Sequence, residues 1–411
     1  MKRFFITLLY IILFASNLIA SDDMYSDKLK IKIESYSDGY ELKSERGFNI
    51  IQNDDIIETI YDDKIILKDN NGVLICTDNS EYGPYYNITI RPIDGLVSYK
   101  NNKYFGDFYL LEKDNSLINI IDMENYIYSV VANEVGSTFE IESIKAQAVA
   151  ARTYALYNSK KFIKDGYNLT ASTISQVYNG HNKVDEKIVK AVDETKGEVI
   201  LCNNEIIDAT YSSTNGGAIA SAKDTWGQHR DYLISKYDPY SLNSPRVNWN
   251  YSLSLNQIDE NLSKGTKKNN FKKIIFYKNN VGRVTSADVI YDNDKFTISG
   301  ERFRSRMGVA NLKSTKFDAQ GNCVESNKSE NSYNPIPNSC LIREESSSGN
   351  DFTIINDGSN ESIKFIGMGV GHGVGMSQYG ANEMAKQGFN YKDILKFYYE
   401  GVEIERVYDW Y

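Results

Sequence analysis

In the stretch "DMENYIYSVVANEVG", Ile127, Val130, Val131 and Glu134 recur at i, i+3, i+4 and i+7, which is one face of a helix. Asp122 stands where an N-cap would be and Gly136 where a left-handed residue would end the helix. Glu134 is therefore a carboxylate on an apolar face, in a last turn whose dipole opposes negative charge. Burial and dipole both push the pKa of such a group upward, and an acid still protonated near neutral pH suits general-acid chemistry. The plainer alternative is a frayed helix end with Glu134 in water. Arg152 lies in "KAQAVAARTYAL" among alanines at 146, 148, 150, 151 and 155. Small neighbours let another element pack closely and commit the guanidinium to a partner, either an anionic or polyhydroxyl ligand or an internal carboxylate.

"GMGVGHGVGMSQYG", residues 367–380, sets glycine at every second position and places His372 among them. Read as extended chain, the glycines bare the backbone on one face, and Met368, Val370, His372, Val374 and Met376 line the other. Glycine in a strand marks close approach of a ligand or of another backbone. The run thus reads as a floor for a flat ligand with His372 at its edge, or as tight packing against a neighbouring strand. It fits neither G-x-G-x-x-G nor a P-loop. "YSSTNGG" (211–217) and "STISQVYNG" (172–180) are polar turns that could present hydroxyls and backbone N–H groups to a ligand. No GxSxG surrounds Ser212 or Ser213, and CxxC and HExxH are absent, so neither a serine nucleophile nor a metal site has a local signature.

The elements that must position these residues fall into an α+β pattern. Residues 22–116 are short β-like runs such as "LKIKIES", "DKIILK" and "VLICT", separated by Asn, Asp and Gly clusters. Helical periods begin near residue 117, and Ser137 and Glu140 are spaced as a capping box for the helix carrying Arg152. A polar, low-complexity insertion covers roughly 318–350. A helix from about Ser377 to Gln387 follows the glycine run, Gly388 closes it, and an apolar helix finishes the chain. The expected domains are residues 22–116 as a β-rich region and residues 117–411 as the chemical domain. Mixed, mostly antiparallel sheets and a few packed helices are expected around a groove.

With 411 residues, 41% hydrophobic and 25% charged, the chain can bury a large core. A net charge of −9 argues against a nucleic-acid partner. Residues 1–21, "MKRFFITLLYIILFASNLIAS", have a charged start and an apolar run, as in a signal peptide or a short membrane anchor, so the mature chain belongs outside the cytoplasm. Four cysteines are too few for a disulfide scaffold, although Cys323 and Cys340 could close a loop.

Six blocks in one order resemble stage II sporulation protein D and its relatives, the SpoIID/LytB domain of bacterial wall proteins. They are "MENYIYSVVANEVGSTFEIESIKAQAVAARTYAL", "SQVYNG", "AVDETKGEVILCNNEIIDATYSSTNGG", "DTWG" followed by "YL", "GERFRSRMGVANLKSTKF" and "GMGVGHGVGMSQYGANEMAKQGFNYKDILKFYYEGVEI". The resemblance spans roughly residues 118–405. It implies a lytic transglycosylase that cuts the MurNAc–GlcNAc bonds of peptidoglycan without water, leaving 1,6-anhydro ends. By matching blocks, Glu134 corresponds to the family's catalytic acid, and Arg152 and His372 to its accompanying site residues. Gln147, Gln176, Tyr178, Tyr211, Ser212, Gly371, Gly373 and Gln378 become candidate residues for holding the substrate. Some relatives are similar in all this yet carry a Cys before the Gln of "SQVYNG", where zinc has been placed. Here that position is Ser175, which supplies no thiolate, so no metal or other cofactor is expected. Peptidoglycan strands are the implied partner, and other members of the family imply the alternative of a non-enzymatic enhancer of a wall amidase.

Overall fold

The computed structural model describes residues 28–264, 271–292, 294–326 and 351–407. The apolar N-terminus, most of the 318–350 insertion and Cys340 lie outside the described residues. The fold is mixed α+β, with eight α-helices and mostly antiparallel sheets among those residues. The described residues divide into two compact units, residues 28–138 with 151–197 and residues 139–150 with those from 198 to 407. None of the described helices is long and apolar enough to cross a membrane.

The first unit holds a seven-stranded sheet in the spatial order Leu169–Thr170, Lys28–Ser35, Ser116–Asp122, Asp107–Leu111, Thr89–Pro92, Phe48–Gln52, Asp55–Ile60. Every pairing is antiparallel except that of Leu169–Thr170 with Lys28–Ser35. In "KLKI" Leu29 and Ile31 are buried while Lys28 and Lys30 face water, the period-2 pattern of a sheet with one covered face. A six-stranded antiparallel sheet completes the β-rich region. The strand Ser116–Asp122 runs straight into helix α1, Met123–Glu134, so the sheet fixes where that helix starts. The Asp122 carboxylate accepts the Asn125 N–H at 3.0 Å, satisfying one of the donors a helix leaves open at its start. Ile127, Val130 and Val131 are wholly buried, and Gly136, at φ +68°, turns the chain away.

Helix α2, Ile141–Tyr157, begins later than a capping box at Ser137 and Glu140 would allow. Glu140 precedes the first helical residue instead of sitting three positions inside, because Gly136 has just ended α1 and Ser137 is still in the connecting turn. The Glu140 N–H is satisfied by Asn382 Oδ1 at 2.7 Å, and Ser143 Oγ donates to the Glu140 carbonyl at 2.9 Å. Helix α3, Glu186–Glu194, packs against α1 within the first unit, and Tyr128 donates from α1 to Asp193.

The second unit has two packing centres. One surrounds a five-stranded antiparallel sheet, Lys295–Ser299, Val284–Ile290, Lys273–Lys278, Phe352–Ile355 and Val324–Ser326 in spatial order. Phe276, Phe303, Phe317, Phe352 and Phe365 converge there, with the Phe276 and Phe352 rings stacked 4.6 Å apart. Helices α4 (Ala222–Trp226), α5 (Leu255–Ser263) and α6 (Gly300–Met307) belong to this unit. The other centre joins Ala146, Val149 and Ala150 of α2 to Val374, Met376, Met384, Ile394 and Leu395. The last three lie on helices α7, Gln378–Lys386, and α8, Tyr391–Tyr398, whose N-caps are Ser377 and Asn390. The alanines around Arg152 are the small surface that α2 needs for close packing.

Candidate functional site

In the first unit, Glu134 is the last helical residue of α1 and is half-buried. Its Oε1 accepts the Val177 N–H at 3.1 Å, so the "SQVYNG" segment touches the carboxylate through backbone. Gln176 and Tyr178, on either side, point inward and are each 1% exposed. Gln176 Oε1 accepts from the Tyr126 hydroxyl at 3.1 Å and its Nε2 donates to the Ala151 carbonyl at 3.2 Å. Tyr178 donates to Asn119 Oδ1 at 2.6 Å. These side chains hold the segment rather than forming groove walls, because their polar atoms are engaged inside the protein. What they present to Glu134 is Val177.

Arg152 is wholly buried and takes the internal-carboxylate option. Its Nε donates to Glu124 Oε1 at 2.9 Å and its Nη2 to Oε2 at 2.7 Å, a bidentate pair. Glu124 Oε1 also accepts the Gly197 N–H at 3.3 Å. Glu124 sits in the first turn of α1, so Arg152 holds the helix whose far end carries Glu134. The sequence offered no signal for this partner. An acid in a first turn reads as a dipole-compensating surface residue.

In the second unit, the glycine run is strand up to Met368 and again at Met376–Ser377, but not between them. Gly369, Gly371, Gly373 and Gly375 then stand at φ +85°, +104°, +75° and +68°. The alternation is therefore not a pleat, and there is no flat glycine face. Every second residue is left-handed, a conformation that glycine alone adopts without penalty. The strand Tyr211–Ser212 pairs in parallel with Met376–Ser377, and Thr214 and Ala220 bridge to Val370 and Val374, so residues 210–220 hold the ribbon along its length. A Cβ at Gly371 would fall 2.8 Å from Ser212 Cβ, at Gly373 2.0 Å from Arg283 Nη2, and at Gly375 2.1 Å from the Thr210 carbonyl. Gly371 and Gly373 thus meet protein atoms where a methyl would go. Gly375→Ala should fail to fold or melt far below wild type, because the carbonyl it meets is itself fixed by the Tyr399 hydroxyl at 2.8 Å. A Gly375→Ala protein with wild-type thermal stability would contradict the ribbon geometry.

Arg283, which carried no sequence signal, is 2% exposed and donates from Nη2 to the Asn215 carbonyl at 2.6 Å. It ties the "TNGG" turn beneath the ribbon. His372 Nδ1 accepts the Val374 N–H at 3.1 Å, and the ring also hydrogen-bonds the Tyr211 backbone and lies 5.2 Å from the Trp226 ring. An accepting Nδ1 puts the imidazole proton on Nε2 and keeps the ring neutral. Burial pushes its pKa down to about 4, with repulsion from Arg283 and Arg304 adding to the shift. A pKa below that of the unfolded chain means that folding releases the proton. Stability from this group is intact above the unfolded value of about 6.5 and is lost as pH falls toward 4. His372→Asn keeps an acceptor near Nδ1 and should flatten the loss of melting temperature across that interval. An unchanged slope would mean that other groups cause the acid loss.

Tyr211 and Gln378 lie at the start and end of the paired segment, with Gln378 opening α7. Ser212 Oγ and both amide atoms of Gln147 are buried without a hydrogen-bond partner among the described residues. Gln147 is on the α2 stretch that packs in the second unit, and it is wholly buried. A buried amide left in that state costs several kcal/mol, on the order of 2–7 kcal/mol. The candidates thus form two groups, Glu134 with Arg152, Gln176 and Tyr178, and His372 with Tyr211, Ser212, Gly371, Gly373 and Gln378.

Residues 112–201, which contain α1, Glu134, Arg152 and the "SQVYNG" segment, match the family model described as "Stage II sporulation protein" (SpoIID). The chain is 33% identical over 291 residues to the amidase enhancer of Bacillus subtilis (strain 168), covering 67% of this chain and 39% of that relative. It therefore spans about two fifths of that protein's length. It is 28% identical over 311 residues to stage II sporulation protein D of the same organism, covering 71% of this chain and 76% of the relative. An uncharacterized protein of Brachyspira hyodysenteriae is 28% identical over 364 residues, 87% of each chain. Residues 112–201, the stretch that holds α1 and the buried pair, thus carry a domain of the stage II sporulation protein family, SpoIID, and the chain is similar to curated proteins named stage II sporulation protein D and amidase enhancer.

Proposed function

We propose that this protein acts on the bacterial cell wall outside the cytoplasm and cleaves peptidoglycan glycan strands as a lytic transglycosylase, with Glu134 as its acid and base. One observation carries the reading. Glu134 is a half-buried carboxylate at the end of a helix fixed at its other end by a cap and a buried ion pair, and one of its oxygens is aligned by the Val177 N–H. A packing or binding helix has no use for an acid held in this way.

In the proposed reaction Glu134 donates its proton to the glycosidic oxygen as the C1–O4 bond breaks, releasing the GlcNAc O4 hydroxyl. The MurNAc C6 hydroxyl attacks C1, and the Glu134 carboxylate takes the hydroxyl proton as the 1,6-anhydro bond closes. One carboxylate suffices because the nucleophile belongs to the sugar, whereas hydrolytic glycosidases use two. Paired Arg152 then acts as a positioning residue for α1. A second reading, a non-enzymatic enhancer of a wall amidase, is favoured by the name of the relative that is 33% identical.

Mass spectrometry of purified glycan strands after incubation with the full-length protein, with and without chelator, tests both readings. Anhydro-MurNAc ends in both samples support the transglycosylase. Uncut strands that nevertheless bind the protein and stimulate an added amidase support the enhancer.

A further inference from the structure

From Phe271 to Lys316 the chain carries ten Lys and Arg against four Asp and Glu, inside a protein of net charge −9. Three of the four acids are engaged by neighbours within the segment: Asp288 by Lys295 at 2.7 Å, Asp292 by Lys272 at 3.1 Å and Glu301 by Arg304 at 3.0 Å. Lys278 reaches outside the segment to Asp318. Among the described residues, Lys273, Arg283, Arg302, Arg306, Lys313 and Lys316 have no carboxylate within ion-pair distance. Arg302 and Arg306 are one turn apart on α6 and so share a face, and Arg302 is exposed. Arg304, between them, turns inward to the Leu312 carbonyl at 3.0 Å, which brings Lys313 back beside the helix. The uncompensated charge is felt nearby. The Lys316 ammonium donates to the Gly216 carbonyl at 2.9 Å, and burial with repulsion from Arg283 and Lys278 pushes its pKa down to about 8.

We propose that the Arg302–Arg306 face of α6, with Lys313, binds a phosphodiester polymer of the cell envelope. Guanidinium groups meet phosphate oxygens bidentately, which lysines do not. Half-buried Arg306 spends one N–H on the Leu262 carbonyl, but among the described residues neither it, Arg302 nor Lys313 meets a carboxylate. Cations without an internal counter-charge suit a chain of repeated negative charges, whose binding releases counterions. A membrane surface fits less well, because interfacial helices pair a basic face with a broad apolar one, and among the large apolar side chains of residues 300–316 only Val309 is exposed. This inference rests on the extracytoplasmic location and not on the transglycosylase chemistry.

The test is fluorescence anisotropy of labelled poly(glycerol phosphate) with full-length protein over a salt series. Wild type should bind with strong salt dependence. Arg302→Glu/Arg306→Glu should weaken binding by about tenfold or more and reduce the slope of log K against log salt by roughly two, one for each phosphate left without its arginine. Arg302→Lys/Arg306→Lys should retain part of the affinity. Thermal melts establish that the variants fold, and Arg302→Gln, at an exposed side chain, serves if the charge reversal does not. Equal binding by wild type and variants overturns the proposal. So does equal or tighter binding of duplex DNA, or binding confined to vesicles of anionic lipid. Wild type that binds the polymer but cuts no glycan strands would count against the transglycosylase reading and leave this proposal standing.

Discussion

Glu134→Gln should leave a folded protein that no longer produces anhydro-MurNAc ends, with cleavage reduced by about 10²–10⁴-fold, the usual contribution of a positioned acid and base. The amide keeps the shape of the side chain, and its oxygen can still accept the Val177 N–H that Oε1 accepts at 3.1 Å. What it would lose, on the proposed mechanism, is the proton for the leaving oxygen and the site that takes the hydroxyl proton back. Melting temperature and strand binding should therefore match wild type while product disappears. A variant that still cuts would remove Glu134 from the mechanism, and one that unfolds would make it a packing residue.

Arg152→Met should lower stability by about 3–5 kcal/mol, because it strands the Glu124 carboxylate in the interior. Glu124→Gln should also destabilise, because it removes the negative charge that the Nε and Nη2 of the wholly buried Arg152 donate to. Replacing both with apolar residues of similar size should recover much of the loss, since neither charge is then left alone. Thermal denaturation of the three variants beside wild type measures this directly. Cleavage should fall in step with stability if Arg152 works by fixing α1. An Arg152→Met protein with wild-type melting and no cleavage would instead assign the guanidinium to the substrate.

Much of the scaffold was legible in the sequence, for identifiable physical reasons. The alternation in "KLKIKIES" and the 3.6-residue period from Ile127 to Glu134 are local patterns, and local patterns persist when one face is buried. Asp122, Gly136, Ser377 and Gly388 act where their chemistry says they should, because caps and left-handed turns involve only a few consecutive residues. The Ser137–Glu140 capping box also had the right spacing. It fails because a residue 242 positions away, Asn382, satisfies the Glu140 N–H instead.

The sequence by itself determined the class of fold, the helix that carries Glu134, and the short list of residues with the chemistry to form a site. Tertiary structure decided what each of them touches. Arg152 meets Glu124 rather than a ligand, Gln176 and Tyr178 turn inward, and the alternating glycines form a left-handed ribbon over Arg283 instead of a flat strand. The reason lies in range. Periodicity and capping are settled within a turn or two of chain, whereas the partner of a buried charge, and the atoms that crowd a glycine, come from segments far away in sequence that only packing brings together.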